Sequence, residues 1–141
     1  MRRGDGTVQL IVAGITADNR SGVIRRETLP EQESVSLWST TDNPPRIDRP
    51  ASGTLLNANA APGSTAWGLN YTPPHTVREI HRTDLLSYNV ILSGKIDLIL
   101  EDERVQLGVG DCLVCLGVLH GWETGSEGVL FAYTAIGLEP A

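Results

Sequence analysis

The second half of the chain is a succession of short runs in which apolar and polar residues alternate. "YNVILSG" sets Tyr88, Val90 and Leu92 on one side, "GKIDLILED" groups Ile96, Leu98 and Leu100, "RVQLGVGD" carries Val105 and Leu107, and "GVLFAYTAI" carries Val129, Phe131 and Tyr133. Each run is about four to eight residues long and stops at Gly, Asp or Ser. A period of two belongs to a β-strand with one buried face. Nowhere do apolar residues recur at helical spacing over the roughly 11 residues that an amphipathic helix needs. Short strands with turn signals about every ten residues imply an all-β, antiparallel sandwich or closed barrel with few or no helices.

The first half reads in the same way, less cleanly. "TVQLIVAGI" (7–15) and "VIRRETL" (23–29) flank the turn-forming "TADNRSG" and predict an N-terminal hairpin. "SVSLWST" (34–40) and "AWGLNYTPP" (66–74) alternate and predict two further strands, the second with Trp67, Leu69 and Tyr71 on one side. Between them "TDNPPRIDRP" is expected as an exposed loop, and "GTLLNANAAPGST" has no period. A chain of 141 residues has the usual size of one domain, so a single domain over 1–141 is expected, with N-terminal strands across 7–40 and a barrel core across 66–136.

Charge and composition remove several classes of function. The formal net charge is -6, and the basic pairs Arg2-Arg3 and Arg25-Arg26 make no phosphate-tracking surface, so a nucleic-acid partner is not expected. No stretch reaches the roughly 18 apolar residues of a membrane helix, and the start "MRRGDGTVQLIVAG" has too short an apolar run for a secretory leader, so a cytoplasmic protein without a membrane partner is expected. The two cysteines read "CLVC" on a strand, where positions three apart face opposite ways. Cys112 and Cys115 are therefore expected as two buried thiols rather than half a zinc site or a redox pair.

The residues able to do chemistry cluster around two of the three histidines, His81 in "EIHRTD" and His120 in "GVLHGWE". The third, His75 in "TPPHT", is separated from His81 by roughly 18 to 20 Å of extended chain, too far for shared ligation on a straight strand. In a partly apolar pocket an imidazole titrates near neutrality and can move a proton as base or acid. Tyr88 is expected to donate a hydrogen bond to a developing enolate or carboxylate oxygen. Trp38, Trp67 and Trp122 are expected as an apolar wall, although a large aromatic on an alternating strand more often packs into the core, and that applies to Trp67. "EDER" (101–104) is expected as a polar hairpin turn.

The spacing of these residues resembles the cupin family over roughly residues 66–136. It looks most like a branch of single-domain cupins in which "HRT", a tyrosine, "LSG", "IDL", "GD" and "HGW" recur at the spacing seen here, at His81 to Thr83, Tyr88, Leu92 to Gly94, Ile96 to Leu98, Gly110 with Asp111, and His120 to Trp122. The resemblance implies a jelly-roll barrel, commonly a homodimer paired through N-terminal strands. It also implies a divalent metal on three histidines and one glutamate. In this chain His81 and His120 hold two of those positions, while Thr83 stands at the second histidine and Ser87 at the glutamate. No cofactor is assigned; what the resemblance admits is a divalent transition metal on His81 and His120, an incomplete ligand set.

The expected site is therefore a barrel mouth in which His81, His120 and Tyr88 are catalytic and Thr83, Ser87, Trp38, Trp67 and Trp122 bind substrate. Hydroxyls in place of charged ligands suit a polar substrate rather than an ion. The expected activity is a non-redox step, such as decarboxylation, dehydration or isomerisation, on a hydroxylated or carboxylated small molecule. A place in secondary metabolism follows from branch members found among enzymes that tailor natural products. The alternatives are a ligand-binding barrel without turnover and a metal-dependent dioxygenase.

Overall fold

A computed structural model describes residues 6–42 and 61–139. The chain divides into two compact units, Met1–Glu33 and Ser34–Ala141. The first is the expected hairpin, β1 (Thr7–Ile15) paired antiparallel with β2 (Ser21–Pro30). Its turn is closed by the Thr16 amide donating to the Arg20 carbonyl at 2.9 Å, with Asn19 at a φ of 59°, a conformation that Asn tolerates better than most residues.

The second unit holds β3 (Val35–Thr40), β4 (Thr65–Thr72), β5 (Val77–His81), β6 (Leu85–Gly94), β7 (Ile96–Ile99), β8 (Arg104–Leu107), β9 (Cys112–Leu116), β10 (His120–Glu123) and β11 (Val129–Gly137). They form two antiparallel sheets, one of order β5-β10-β7-β8 and one of order β3-β4-β11-β6-β9. From β4 onward, consecutive strands pass from one sheet to the other except at the β7–β8 hairpin, and this interleaving is the winding of a jelly roll. The all-β, antiparallel jelly roll is thus the observed fold, and no helix occurs among the described residues. Nor, among these residues, is any helix long and apolar enough to cross a membrane. The loop expected in "TDNPPRIDRP" (41–50) lies outside the described residues from 43 onward, and the aperiodic stretch after it lies outside them up to residue 60.

Sharp passage between sheets has a local cause. Gly94, with a φ of +79°, ends β6 where the Gly128 carbonyl lies so close that a Cβ would overlap it. Only glycine combines that backbone conformation with that approach. The "EDER" segment turns as expected, the Leu100 amide donating to the Glu103 carbonyl at 2.9 Å. Arg104 then enters β8 and donates to Glu123 at 2.6 Å and to Asp97 at 3.2 Å, joining β8 to β10 and β7 on an exposed face.

The core is built by Ile91, Ile96, Leu98, Leu107, Val129 and Phe131, with Trp122 and Tyr133 packed against it. Ile96 and Val129 are completely enclosed. Each such side chain contributes about 1.5–3 kcal/mol through burial.

One strand faces opposite to the expectation. Because Ile91 lies in the core, alternation along β6 turns Leu85, Ser87 and Asn89 inward and Leu86, Tyr88 and Val90 outward. Tyr88 is accordingly exposed. The two thiols diverge as expected, but Cys112 is exposed and only Cys115 is buried, which corrects the expectation of two buried cysteines. Trp67 is 44% exposed and therefore does not fill the core.

Candidate functional site

The two histidines meet across strands. β5 ends at His81 and β10 begins at His120, and the two are paired residues in the antiparallel register. Their ring centroids are 4.8 Å apart, tilted by 48°. The register slips between His120 and Trp122, and Gly121 in the slip lets β5 come close, since a Cβ there would stand 2.7 Å from the Arg78 carbonyl oxygen.

Both imidazoles are held in one tautomer by the same device. His120 Nδ1 donates to the Val118 carbonyl at 2.8 Å, and His81 Nδ1 donates to the Glu79 carbonyl at 2.9 Å. A carbonyl can only accept, so in the neutral ring Nδ1 carries the proton and Nε2 keeps its lone pair. His120 is 7% exposed, whereas His81 is open to solvent. The ring series continues inward: His120 meets Trp122 edge-on at 5.8 Å, and Trp122 stacks on Phe131 at 5.7 Å.

His120 also lies 3.7 Å from the thiol of Cys115, which faces inward from β9 beside its register partner Ser87. That contact is the main cause that raises the His120 pKa above its ordinary value, against the opposing effect of burial, and the Val118 carbonyl acts in the same direction. The same contact lowers the Cys115 pKa. Burial alone raises that of the Tyr133 phenol.

Beside His120 the two sheets leave a hollow of about 210 Å³. Its polar lining is Asn70, Thr83, Ser87, Asn89, His120 and Tyr133. Leu85, Trp122, Phe131 and Ala135 complete the wall, so none of the lining residues carries a formal charge other than a protonated His120. Within this lining Asn89 donates through Nδ2 to Ser87 Oγ at 3.1 Å and to the Leu113 carbonyl at 3.3 Å. Thr72 donates its hydroxyl proton to Asn70 Oδ1 at 3.1 Å.

Of the residues expected at the barrel mouth, the structure brings together His120, Thr83, Ser87 and Trp122. His81 touches His120 from the rim but does not line the hollow. Tyr88 and Trp67 lie instead, together with Cys112 and Val114, in a neighbouring groove of about 320 Å³ that shares Asn89 and Tyr133 with the hollow. Trp38 is paired with Trp67 across β3 and β4 and lines neither. His75 sits in a turn at a φ of 55°, apart from the imidazole pair. Asn70, Asn89 and Tyr133 were not singled out in the sequence. For Asn89 a signal existed: once Ser87 is placed inward, parity carries Asn89 inward and Tyr88 outward.

The donors do not fit a resident divalent metal. Such a centre takes at least three protein ligands, and among the described residues no group of three His, Cys, Asp or Glu side chains is placed to hold an ion. Asp84 and Glu79, the sequence neighbours able to complete the set, do not join it. His81 and His120 supply two nitrogens; Thr83 and Ser87 supply neutral hydroxyls.

No protein-family model matches the chain. Among curated proteins it is 30% identical over 98 residues to phomopsin biosynthesis cluster protein C' of Diaporthe leptostromiformis, a match covering 69% of this chain and 46% of that protein. The chain thus spans about half the length of this curated relative. Among solved structures it is similar to the DMSP lyase DddQ of Ruegeria pomeroyi DSS-3, with 24% identity, a TM-score of 0.49, and coverage of 55% of this chain and 41% of that one. It is similar also to the Cupin_2 domain of an XRE family transcriptional regulator from Enterobacter cloacae, with 16% identity, a TM-score of 0.44, and coverage of 55% and 83%.

Proposed function

We propose that the chain is a small-molecule enzyme in which His120 moves a proton to or from a substrate held in the adjoining hollow. The observation that carries this reading is the fixed tautomer of His120, with Nδ1 anchored on the Val118 carbonyl and the ring forming part of the cavity wall. A proton-transfer group must be oriented toward its substrate before its basicity can be used, and the backbone carbonyl supplies the orientation. In this reading His81 exchanges that proton with solvent, a role supported by its ring lying 4.8 Å away and being anchored in the same way. The reaction is then a non-redox one: decarboxylation, dehydration or isomerisation, each of which needs a proton placed or removed at one atom.

The partial likeness to a biosynthesis cluster protein supports a place in a biosynthetic sequence. A cytoplasmic homodimer belongs to the same reading. In the binding barrel without turnover, the second reading, His81 is a rim residue; its exposure and its absence from the lining favour that view.

The separating experiment is turnover by His120→Ala and His81→Ala variants on candidate substrates, with folding checked by circular dichroism. The expected loss in kcat is about 10²- to 10⁴-fold for His120→Ala and smaller for His81→Ala. Full rate in both folded variants would remove the proton-transfer reading. Substrate binding by a wild-type protein that never turns it over would leave the binding barrel.

A further inference from the structure

Resting on the reading of this hollow as a substrate site, we infer that it is built for an uncharged ligand bearing a carboxamide, gripped by the paired side chains of Ser87 and Asn89; of the three reactions this keeps dehydration and isomerisation and drops decarboxylation. The assignment comes from which hydrogen-bonding capacity the protein leaves unused. The Leu113 carbonyl can only accept, so the Asn89 amide must present its NH₂ to it at 3.3 Å. The same NH₂ donates to Ser87 Oγ at 3.1 Å. Both Asn89 donors are then spent, and its Oδ1 remains an acceptor. Ser87 already accepts through Oγ, so its own proton remains to be donated.

Two residues apart on β6 and facing the same side, Ser87 and Asn89 thus offer one donor and one acceptor. A carboxamide presents the complement, a carbonyl oxygen and an N–H. A carboxylate offers oxygen only and would set a negative charge against Asn89 Oδ1.

The rest of the lining points the same way. With no Lys or Arg in the wall, an anion entering the hollow loses its hydration with only His120 to answer its charge. With no Asp or Glu, a cation fares no better. Trp122 and Phe131, stacked at 5.7 Å, provide a flat apolar wall for the body of the ligand.

The test uses three probes of similar shape, phenylacetamide, phenylacetate and phenethylamine, titrated into the wild-type chain at about pH 8. Binding is followed by amide chemical shifts in two-dimensional NMR. Phenylacetamide is expected to bind at least about tenfold more tightly than either ion, with shifts at Ser87, Asn89 and Tyr133. In Ser87→Ala, a nearly isosteric change, the preference is expected to fall about five- to tenfold with the spectrum otherwise intact. Equal or tighter binding of phenylacetate or phenethylamine overturns the inference. So does binding of none of the three, or a preference untouched by Ser87→Ala. Selective amide binding in a protein whose His120→Ala variant turns over normally would sink the proton-transfer reading and leave this one standing.

Discussion

The same strands build two unlike ends of one jelly roll. Along β6, Ile91 enters the packed core while Asn89 and Ser87, the preceding inward positions, line the hollow. Along β11, Val129 is sealed, Phe131 belongs to both regions, and Tyr133 and Ala135 continue into the hollow. Strand direction and strand neighbours do not change between the ends, although the β6–β11 register slips once, between Leu130 and Phe131. What changes is the inward residue: branched aliphatics close one end to native packing density, and amides, hydroxyls and an imidazole leave space at the other. A sandwich of this kind acquires a site by withholding apolar volume from successive inward positions of strands that are otherwise ordinary.

That contrast makes Ile96→Ala the largest expected effect. Ile96 is 2% exposed and belongs to the sealed end, so its truncation leaves a cavity and is expected to cost about 2–5 kcal/mol in urea unfolding. Ser87→Ala, at the hollow end, removes a hydroxyl from a wall that already borders space and is expected to stay within about 1 kcal/mol of wild type. Comparable losses in the two variants would mean that the hollow is as structurally committed as the core, and the distinction between the ends would fail.

An intermediate effect is expected from a charge placed at the hollow end. Ser87→Glu adds a carboxylate to the space beside His120, where no Lys or Arg compensates it, and should lower stability by about 1–3 kcal/mol in chelated buffer. It also completes two imidazoles and one carboxylate, a recognised facial set for divalent metals. Nickel is then expected to restore the melting temperature and to bind at least about tenfold more tightly than to wild type. If nickel gives no recovery, the two Nε2 lone pairs do not converge with position 87, and the hollow has a different geometry from the one its lining implies.

How much of this was legible in the sequence follows from what each signal measures. The all-β fold was, because short alternating runs and turn residues are local properties; the resemblance carried by "HRT" and "HGW" implied one cavity shared by His81 and His120, whereas the rings meet but only His120 lines the hollow. Alternation names two faces of a strand without saying which one is inside. On β6 the apolar set Tyr88, Val90 and Leu92 competed with Ser87, Asn89 and Ile91, and a strand that lines a polar hollow turns its polar set inward. Ser87 and Tyr88 are adjacent, so they could never have shared one wall. Asn70 escaped notice because its role depends on the pairing of β4 with β11, a non-local fact, and Cys115 because its value lies in a contact with a residue on another strand. The exposure of Trp67 has the same origin: which side of β4 faces the second sheet is a property of the assembled layers.

The smallest expected effect concerns the thiol behind the hollow end, Cys115, beside Ser87 and His120. The groups facing His120 are the His81 ring from β5 and the Cys115 thiol from β9, and the thiol contact at 3.7 Å is the main cause of the raised His120 pKa. In Cys115→Ala that contact is gone, burial still disfavours the imidazolium, and the Val118 carbonyl still favours it. The His120 pKa should therefore fall toward or below its ordinary value, read directly from the imidazole proton shifts in an NMR titration. The linked stability follows in sign. A group that binds its proton more tightly folded than unfolded stabilises fully below its unfolded pKa of about 6.5, and that contribution disappears as pH rises through the folded value. Wild type should accordingly exceed Cys115→Ala in stability by more on the acid side of neutrality than on the alkaline side, beyond the constant cost of the lost thiol. A stability difference that is flat from about pH 5 to 8, with an unmoved His120 titration, would show that Cys115 merely fills space and that the imidazole owes its poise to the backbone alone.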